Sequence, residues 1–145
     1  MIIEPLDGNS AELAAALLAA GLPADDVSDA GRRFFRFSED GRTVGFGGYE
    51  LYGADVLVRS LVMLPQTRGQ GQGTVATNLL LEQAVQAGAS TAYLLTTDAA
   101  RFFQRLGFRP VDRQTAPAAI LATRQAALLC PSTAALMARP LSGSR

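Results

Sequence analysis

The spacing of hydrophobic and polar residues predicts a strand followed by a helix at the start of the chain. Residues 2–3 begin a short strand that ends at Pro5. Asn9 or Ser10 can cap the Ala- and Leu-rich segment that follows, which ends at Gly21.

Alternating hydrophobic residues then predict three strands. Residues 34–37 and 44–51 form two strands around the turn at 39–42. After a second turn at 52–55, residues 56–64 alternate apolar positions up to Pro65, a pattern typical of a long strand.

The second half of the chain alternates between helical and extended patterns. Residues 75–85 have helical spacing and stop before Gly88, and residues 93–95 form a short buried strand. Asp98 is placed to cap a helix over 99–106. Further elements are predicted as a strand at 108–111, helical turns at 117–123 and 124–129, and a final strand at 134–141.

The composition narrows the possible chemistry. The chain has 145 residues, which predicts one domain over 1–141 and a loose tail at 142–145. It contains no His and no Lys, which excludes a Ser-His-Asp triad, a Schiff-base lysine and a P-loop. We therefore expect no metal cofactor.

Charge and cysteine content indicate an ordinary cytoplasmic protein. Thirteen Arg balance thirteen Asp and Glu, so no net field attracts nucleic acid or an anionic membrane. The single Cys130 cannot form an internal disulfide, and we expect it to be a small buried apolar residue. No hydrophobic stretch near the N-terminus reaches the length of a membrane helix.

A glycine-rich loop between the strand at 56–64 and the helix at 75–85 is the main candidate for chemistry. Three glycines there allow close backbone approach, and the free N–H groups at the helix start favour a phosphate or pyrophosphate. The residues of this segment are Arg68, Gly69, Gln70, Gly71, Gln72, Gly73 and Thr74. A dinucleotide fingerprint would need glycine at Thr74. A plain tight turn is the alternative.

The loop resembles the Arg/Gln-x-x-Gly-x-Gly/Ala motif of the GCN5-related N-acetyltransferase family, through Arg68, Gly71 and Gly73. Residues 99–108 resemble the second signature of the family. The resemblance implies an α/β fold with a twisted, mixed and mainly antiparallel sheet flanked by helices. It also implies that acetyl-CoA binds where two strands splay.

The same resemblance assigns cofactor contacts beyond the loop. It implies that the pantetheine arm pairs with Val62, Met63 and Leu64, with Met63 as the oxyanion contact. Thr96 and Phe103 are also implied to face the cofactor, although the family often has asparagine and tyrosine there. Without that phenol, another group must protonate the departing thiolate, or transfer is slower.

The C-terminal third is similar to acetyltransferases associated with arsenic-resistance operons. This likeness implies an amino-acid-like acceptor, such as phosphinothricin or arsinothricin. It rests on residues 94–97, Phe102, Phe103, Arg113, Pro117, Ile120, Thr123, Gln125, residues 129–131 and Met137.

Several side chains are candidates for the reaction itself. Glu50 is the candidate base, with a solvated carboxylate as the alternative. Arg59 and Ser60 point to opposite faces of their strand, and a buried arginine needs an anionic partner. That partner is either an acceptor carboxylate or an internal carboxylate from Asp55 or Glu50. The hydroxyl of Thr97 could contact the pantetheine arm or the acceptor, or it could cap the next helix.

The sequence leaves open the roles of the tyrosines and the choice among several competing functions. Tyr49, Tyr52 and Tyr93 are the only phenols available to replace the missing general acid, with Tyr52 expected in a turn and Tyr93 in the core. The alternatives are an acetyltransferase for an antibiotic, polyamine or protein N-terminus, a non-catalytic CoA-binding module, and a structural domain whose loop binds nothing. A homodimer is expected only by analogy with the fold.

Overall fold

The computed structural model describes residues 1–22, 31–65, 71–123, 126 and 134–141. Arg68, Gly69, Gln70, Cys130, the predicted turn at 124–129 apart from residue 126, and the C-terminal tail at 142–145 lie outside these residues.

The described residues form seven strands and four α-helices. The strands are β1 (Ile2–Leu6), β2 (Arg32–Glu39), β3 (Arg42–Tyr52), β4 (Asp55–Met63), β5 (Thr91–Thr96), β6 (Arg109–Pro110) and β7 (Ala135–Pro140). The helices are α1 (Ala11–Ala19), α2 (Gln72–Gln86), α3 (Ala100–Arg105) and α4 (Ala118–Leu121), and a short 3₁₀ turn spans Arg113–Thr115.

The strands form one mixed sheet in the order β1-β2-β3-β4-β5-β7-β6. All neighbouring strands are antiparallel except β4 and β5, which are parallel. The expected mixed, mainly antiparallel sheet flanked by helices is therefore confirmed.

The parallel pair β4 and β5 separates after a short ladder. Their register runs from Asp55 opposite Thr91 to Leu57 opposite Tyr93 and then stops, although β4 continues to Met63. The two strands therefore open a gap at the end of the sheet where α2 begins.

A β-bulge lies on β4 within this gap. The register with β3 shifts between the pairs Phe46–Val62 and Gly48–Arg59. Ser60, between them, has a φ of 59°, a left-handed conformation that non-glycine residues adopt infrequently. A bulge bends its strand and redirects the side chains on it.

The helices cover both faces of the sheet. On one face, Leu80 and Ala84 of α2 and Phe103 of α3 join the largest hydrophobic cluster. On the other face, Leu13 of α1 and Ile120 of α4 each belong to a separate buried cluster. The Ser10 hydroxyl caps α1 by accepting from the N–H of Leu13 at 3.3 Å.

The structure corrects two predicted strand boundaries and one predicted helix cap. β1 runs through Pro5 to Leu6, because an edge strand tolerates a proline that donates no hydrogen bond. The predicted strand at 108–111 is only two residues long as β6. Helix α3 begins after Ala99 without a side-chain cap from Asp98, so that predicted cap is wrong.

No helix among the described residues is long and apolar enough to cross a membrane.

Candidate active site

The gap between β4 and β5 is the floor of a cavity of about 330 Å³. We call it the inner cavity. Residues 58–61 and Met63 of β4 line one side and residues 94–96 of β5 the other, while Phe102 and Phe103 of α3 also line it. The separation of the two strands thus creates a pocket in the middle of the sheet.

A second and larger cleft, of about 780 Å³, extends from the inner cavity along the start of α2. We call it the outer cleft. Both are lined by Met63, Gly73 and Phe102, so the two spaces adjoin each other. A Cβ on Gly73 would lie 3.4 Å from Cζ of Phe102 and 3.7 Å from Cγ of Met63. The missing side chain therefore keeps the junction open.

The first turn of α2 borders the outer cleft. Gly71, the residue before the helix, has a φ of 76° and provides no side-chain cap. The N–H groups of the first turn of a helix have no partner within that helix, and they lie at the positive end of its dipole. This end of the cleft is suited to a phosphate or pyrophosphate group.

Most of the predicted cofactor residues within the described chain lie around these two spaces. The outer cleft is lined by Val62, Met63, Gly71, Gly73 and Thr74. The inner cavity is lined by Met63, Thr96 and Phe103, together with the predicted acceptor residues Arg59, Ser60 and Thr97.

Leu64 and Gln72 are not among the residues that line either space. The N–H of Leu64 donates to the carbonyl of Val44 at 2.8 Å, and its side chain packs toward α1. Both residues therefore border the site without lining it.

Glu50 is fully buried on β3, so the alternative of a solvated carboxylate is wrong. Its Oε2 accepts from Nη1 of Arg59 at 2.8 Å, and its Oε1 accepts from the Tyr52 hydroxyl. Nη2 of Arg32 lies 3.7 Å from Oε1. Both carboxylate oxygens thus have partners within the fold, and the role of Glu50 as a base stays a prediction.

The side chain of Arg59 is also fully buried. Of its two predicted kinds of partner, the structure contains the internal one, the carboxylate of Glu50. Its Nε donates to Oγ of Ser60 at 3.1 Å, and its Cζ lies 5.8 Å from the centre of the Phe34 ring. Direct contact between Arg59 and an acceptor stays a prediction.

The Tyr52 hydroxyl is a partner of Glu50 that was not predicted, because Tyr52 was expected to lie in a turn. Burial and the adjacent Glu50 carboxylate raise the pKa of Tyr52 to about 12. Tyr52 is therefore a neutral donor near pH 7. Burial also raises the pKa of Tyr49 and of Tyr93. None of the three lines the inner cavity or the outer cleft as described.

The end of β5 and the start of α3 form the other wall. Oγ1 of Thr96 accepts from the N–H of Ala99 at 3.0 Å. The ring of Phe103 packs edge-on against Phe102, with centroids 5.0 Å apart, and against Phe108 at 5.7 Å. Phe103 is thus packed between Phe102 and Phe108 at the cavity wall.

Several parts of the wall were not predicted as site residues. Gly21 and Leu22, just after α1, line both spaces. Phe102 also lines both. The sequence could have indicated this residue, because Phe102 lies within the second family signature. The described residues contain no group of three or more His, Cys, Asp or Glu side chains that could hold a metal ion.

Known structures of similar fold include several acetyltransferases. N-acetylglutamate synthase from Neisseria gonorrhoeae, solved with coenzyme A and N-acetyl-glutamate, has a TM-score of 0.75 and 16% identity over 97% of this chain. This chain spans only 35% of that synthase. A GNAT-family acetyltransferase from Staphylococcus aureus Mu50 has a TM-score of 0.72 and 17% identity, covering 97% of this chain and all of its own.

An aminoglycoside 6'-N-acetyltransferase complexed with coenzyme A has a TM-score of 0.71 and 18% identity, with 97% of both chains covered. At these identities the likeness establishes the fold. No curated protein sequence matches the chain significantly. The sequence model of the acetyltransferase (GNAT) family matches residues 9–108, which is more than half of the chain. The chain belongs to the acetyltransferase (GNAT) family.

Proposed function

We propose that this protein transfers the acetyl group of acetyl-CoA to the primary amine of a small, amino-acid-like molecule. The observation that carries the proposal is the separation of β4 from β5 after Leu57 and Tyr93, which opens the inner cavity next to the glycine-rich start of α2. The pyrophosphate of acetyl-CoA would lie at that helix start, and the thioester would lie in the inner cavity.

The reaction requires little covalent chemistry from the protein. Holding a neutral amine next to a polarised thioester supplies much of the rate. Met63 lines both spaces, which supports its predicted contact with the thioester. Thr97 also lines both, and its hydroxyl would bind the acceptor or the pantetheine arm.

The size and charge of the inner cavity favour a small acceptor. Its volume of about 330 Å³ is at the lower end of the range for small-molecule sites. Among the described residues that line the two spaces, Asp98 is the only carboxylate, which is unfavourable for a polycationic acceptor. The gonococcal synthase of similar fold was solved with an acetylated amino acid.

A panel of amines tests the proposal by thiol release from acetyl-CoA. The panel contains phosphinothricin, arsinothricin, common amino acids, an aminoglycoside, a polyamine and a peptide with a free N-terminus. We expect the highest kcat/KM with an amino-acid-like amine. Preference for the aminoglycoside, polyamine or peptide would overturn the acceptor class, and binding of acetyl-CoA without turnover on any amine would indicate a non-catalytic module.

A further inference from the structure

A chain of buried side chains leads from Glu50 to the inner cavity. Oε2 of Glu50 accepts from Nη1 of Arg59 at 2.8 Å, and Nε of the same guanidinium donates to Oγ of Ser60 at 3.1 Å. Ser60 is 8% exposed and lines the inner cavity. A fixed guanidinium therefore holds a hydroxyl at the edge of the space where the thioester would lie.

The backbone of Ser60 is strained at this point. Its φ of 59° places a non-glycine residue in the left-handed region, at the bulge of β4. Such strain concentrates at functional sites. A serine here, where glycine would fit without strain, indicates that the hydroxyl has a use.

The hydrogen bond from Arg59 leaves the Ser60 hydroxyl able to donate. A serine hydroxyl has one O–H donor and two acceptor lone pairs. Because one lone pair accepts the Arg59 N–H, the O–H and the second lone pair are available. A hydrogen bond from a cation polarises the oxygen, which makes its O–H a better donor.

At the wall of the inner cavity, a phenylalanine replaces the tyrosine that is common in the family. Phe103 lines the same cavity as Ser60 and stands where the family often has tyrosine. A phenyl ring has no proton to give to a departing thiolate. Ser60 lines the same space, so its hydroxyl is placed to supply the transfer that Phe103 cannot.

We propose that the Ser60 hydroxyl relays the proton in acetyl transfer, an inference that rests on the proposed function. The amine nitrogen forms the new C–N bond as the C–S bond of the thioester breaks. The proton of the resulting ammonium passes to Oγ of Ser60, while the original hydroxyl proton passes to the sulfur of coenzyme A. The products are a neutral amide and a neutral thiol, and Ser60 is regenerated.

The variant Ser60→Gly tests this relay with little risk to the fold, because glycine adopts a φ of 59° without strain. We expect kcat to fall by about 100-fold, the lower end of the range for general acid–base help. The thermal shift on adding acetyl-CoA should change little. A purely structural role for Ser60 would leave kcat within twofold of the wild type and would overturn the proposal.

A second experiment restores a phenol to the cavity. In the double variant Ser60→Gly/Phe103→Tyr we expect at least a tenfold recovery of kcat, because tyrosine supplies a donor to the same cavity. Failure to recover would overturn the relay. A loss of kcat in Thr96→Val but not in Ser60→Gly would assign the proton transfer to Thr96 and also overturn it.

The outcome for the wild type separates this inference from the proposed function. Wild-type turnover together with an unaffected Ser60→Gly variant removes only the relay. A wild-type protein that binds acetyl-CoA and acetylates no amine in the panel removes both.

Discussion

Replacing Glu50 by glutamine is expected to lower the free energy of unfolding by about 3 to 5 kcal/mol, the cost of breaking a buried ion pair from one side. The side chains of Glu50 and Arg59 are both fully buried, and their charged atoms are 2.8 Å apart. The guanidinium of Arg59 cannot lose its proton to relieve the loss. Urea denaturation of Glu50→Gln and the wild type, followed by circular dichroism, measures this difference.

The ion pair between Glu12 and Arg36 provides the matched control. Its atoms are 2.7 Å apart, but its side chains are 45% and 32% exposed. Glu12→Gln should therefore cost much less than Glu50→Gln, because solvent screens an exposed ion pair. Equal losses of unfolding free energy in the two variants would contradict the view that burial of Arg59 is the reason why Glu50→Gln is so destabilising.

Substituting Gly73 by tryptophan is expected to abolish binding of acetyl-CoA. A Cβ at Gly73 would already lie 3.4 Å from Cζ of Phe102, so a larger side chain must occupy the junction of the two spaces. We expect the dissociation constant for acetyl-CoA to rise more than about 100-fold, which corresponds to about 2.7 kcal/mol. Titration calorimetry on the folded variant measures it.

A tryptophan elsewhere on α2 controls for a general effect on the helix. Glu82 is exposed on α2 and lines neither the inner cavity nor the outer cleft as described. Glu82→Trp should bind acetyl-CoA as the wild type does. Unchanged affinity in a folded Gly73→Trp variant would remove the assignment of the cofactor to this cleft.

Strong local signals made most of the fold predictable. The alternation of residues 56–64 before Pro65 predicted β4, and the turn at 52–55 set the register of β3 against β4. That register puts Glu50 opposite Leu57 and Arg59 opposite Gly48, so Glu50 and Arg59 share one face of the sheet. The internal ion pair could therefore be named from sequence as one of two alternatives.

Features that depend on long-range geometry were not predictable from the residues. The ladder between β4 and β5 ends at Leu57 although both strands continue, and only the family resemblance indicated the separation. The bulge at Ser60 could not be predicted, because serine has no preference for positive φ. The Tyr52 hydroxyl was missed because residues at a turn are expected to be exposed.

Acetyl-CoA binding to the wild-type protein tests the central claim most directly. The thermal midpoint is measured with and without acetyl-CoA at about 100 times its dissociation constant, where one bound ligand adds about 2.7 kcal/mol. A rise of roughly 5 to 10 °C is the result that a cofactor site between β4 and β5 predicts for a chain of this length. No rise at a saturating concentration would contradict the claim.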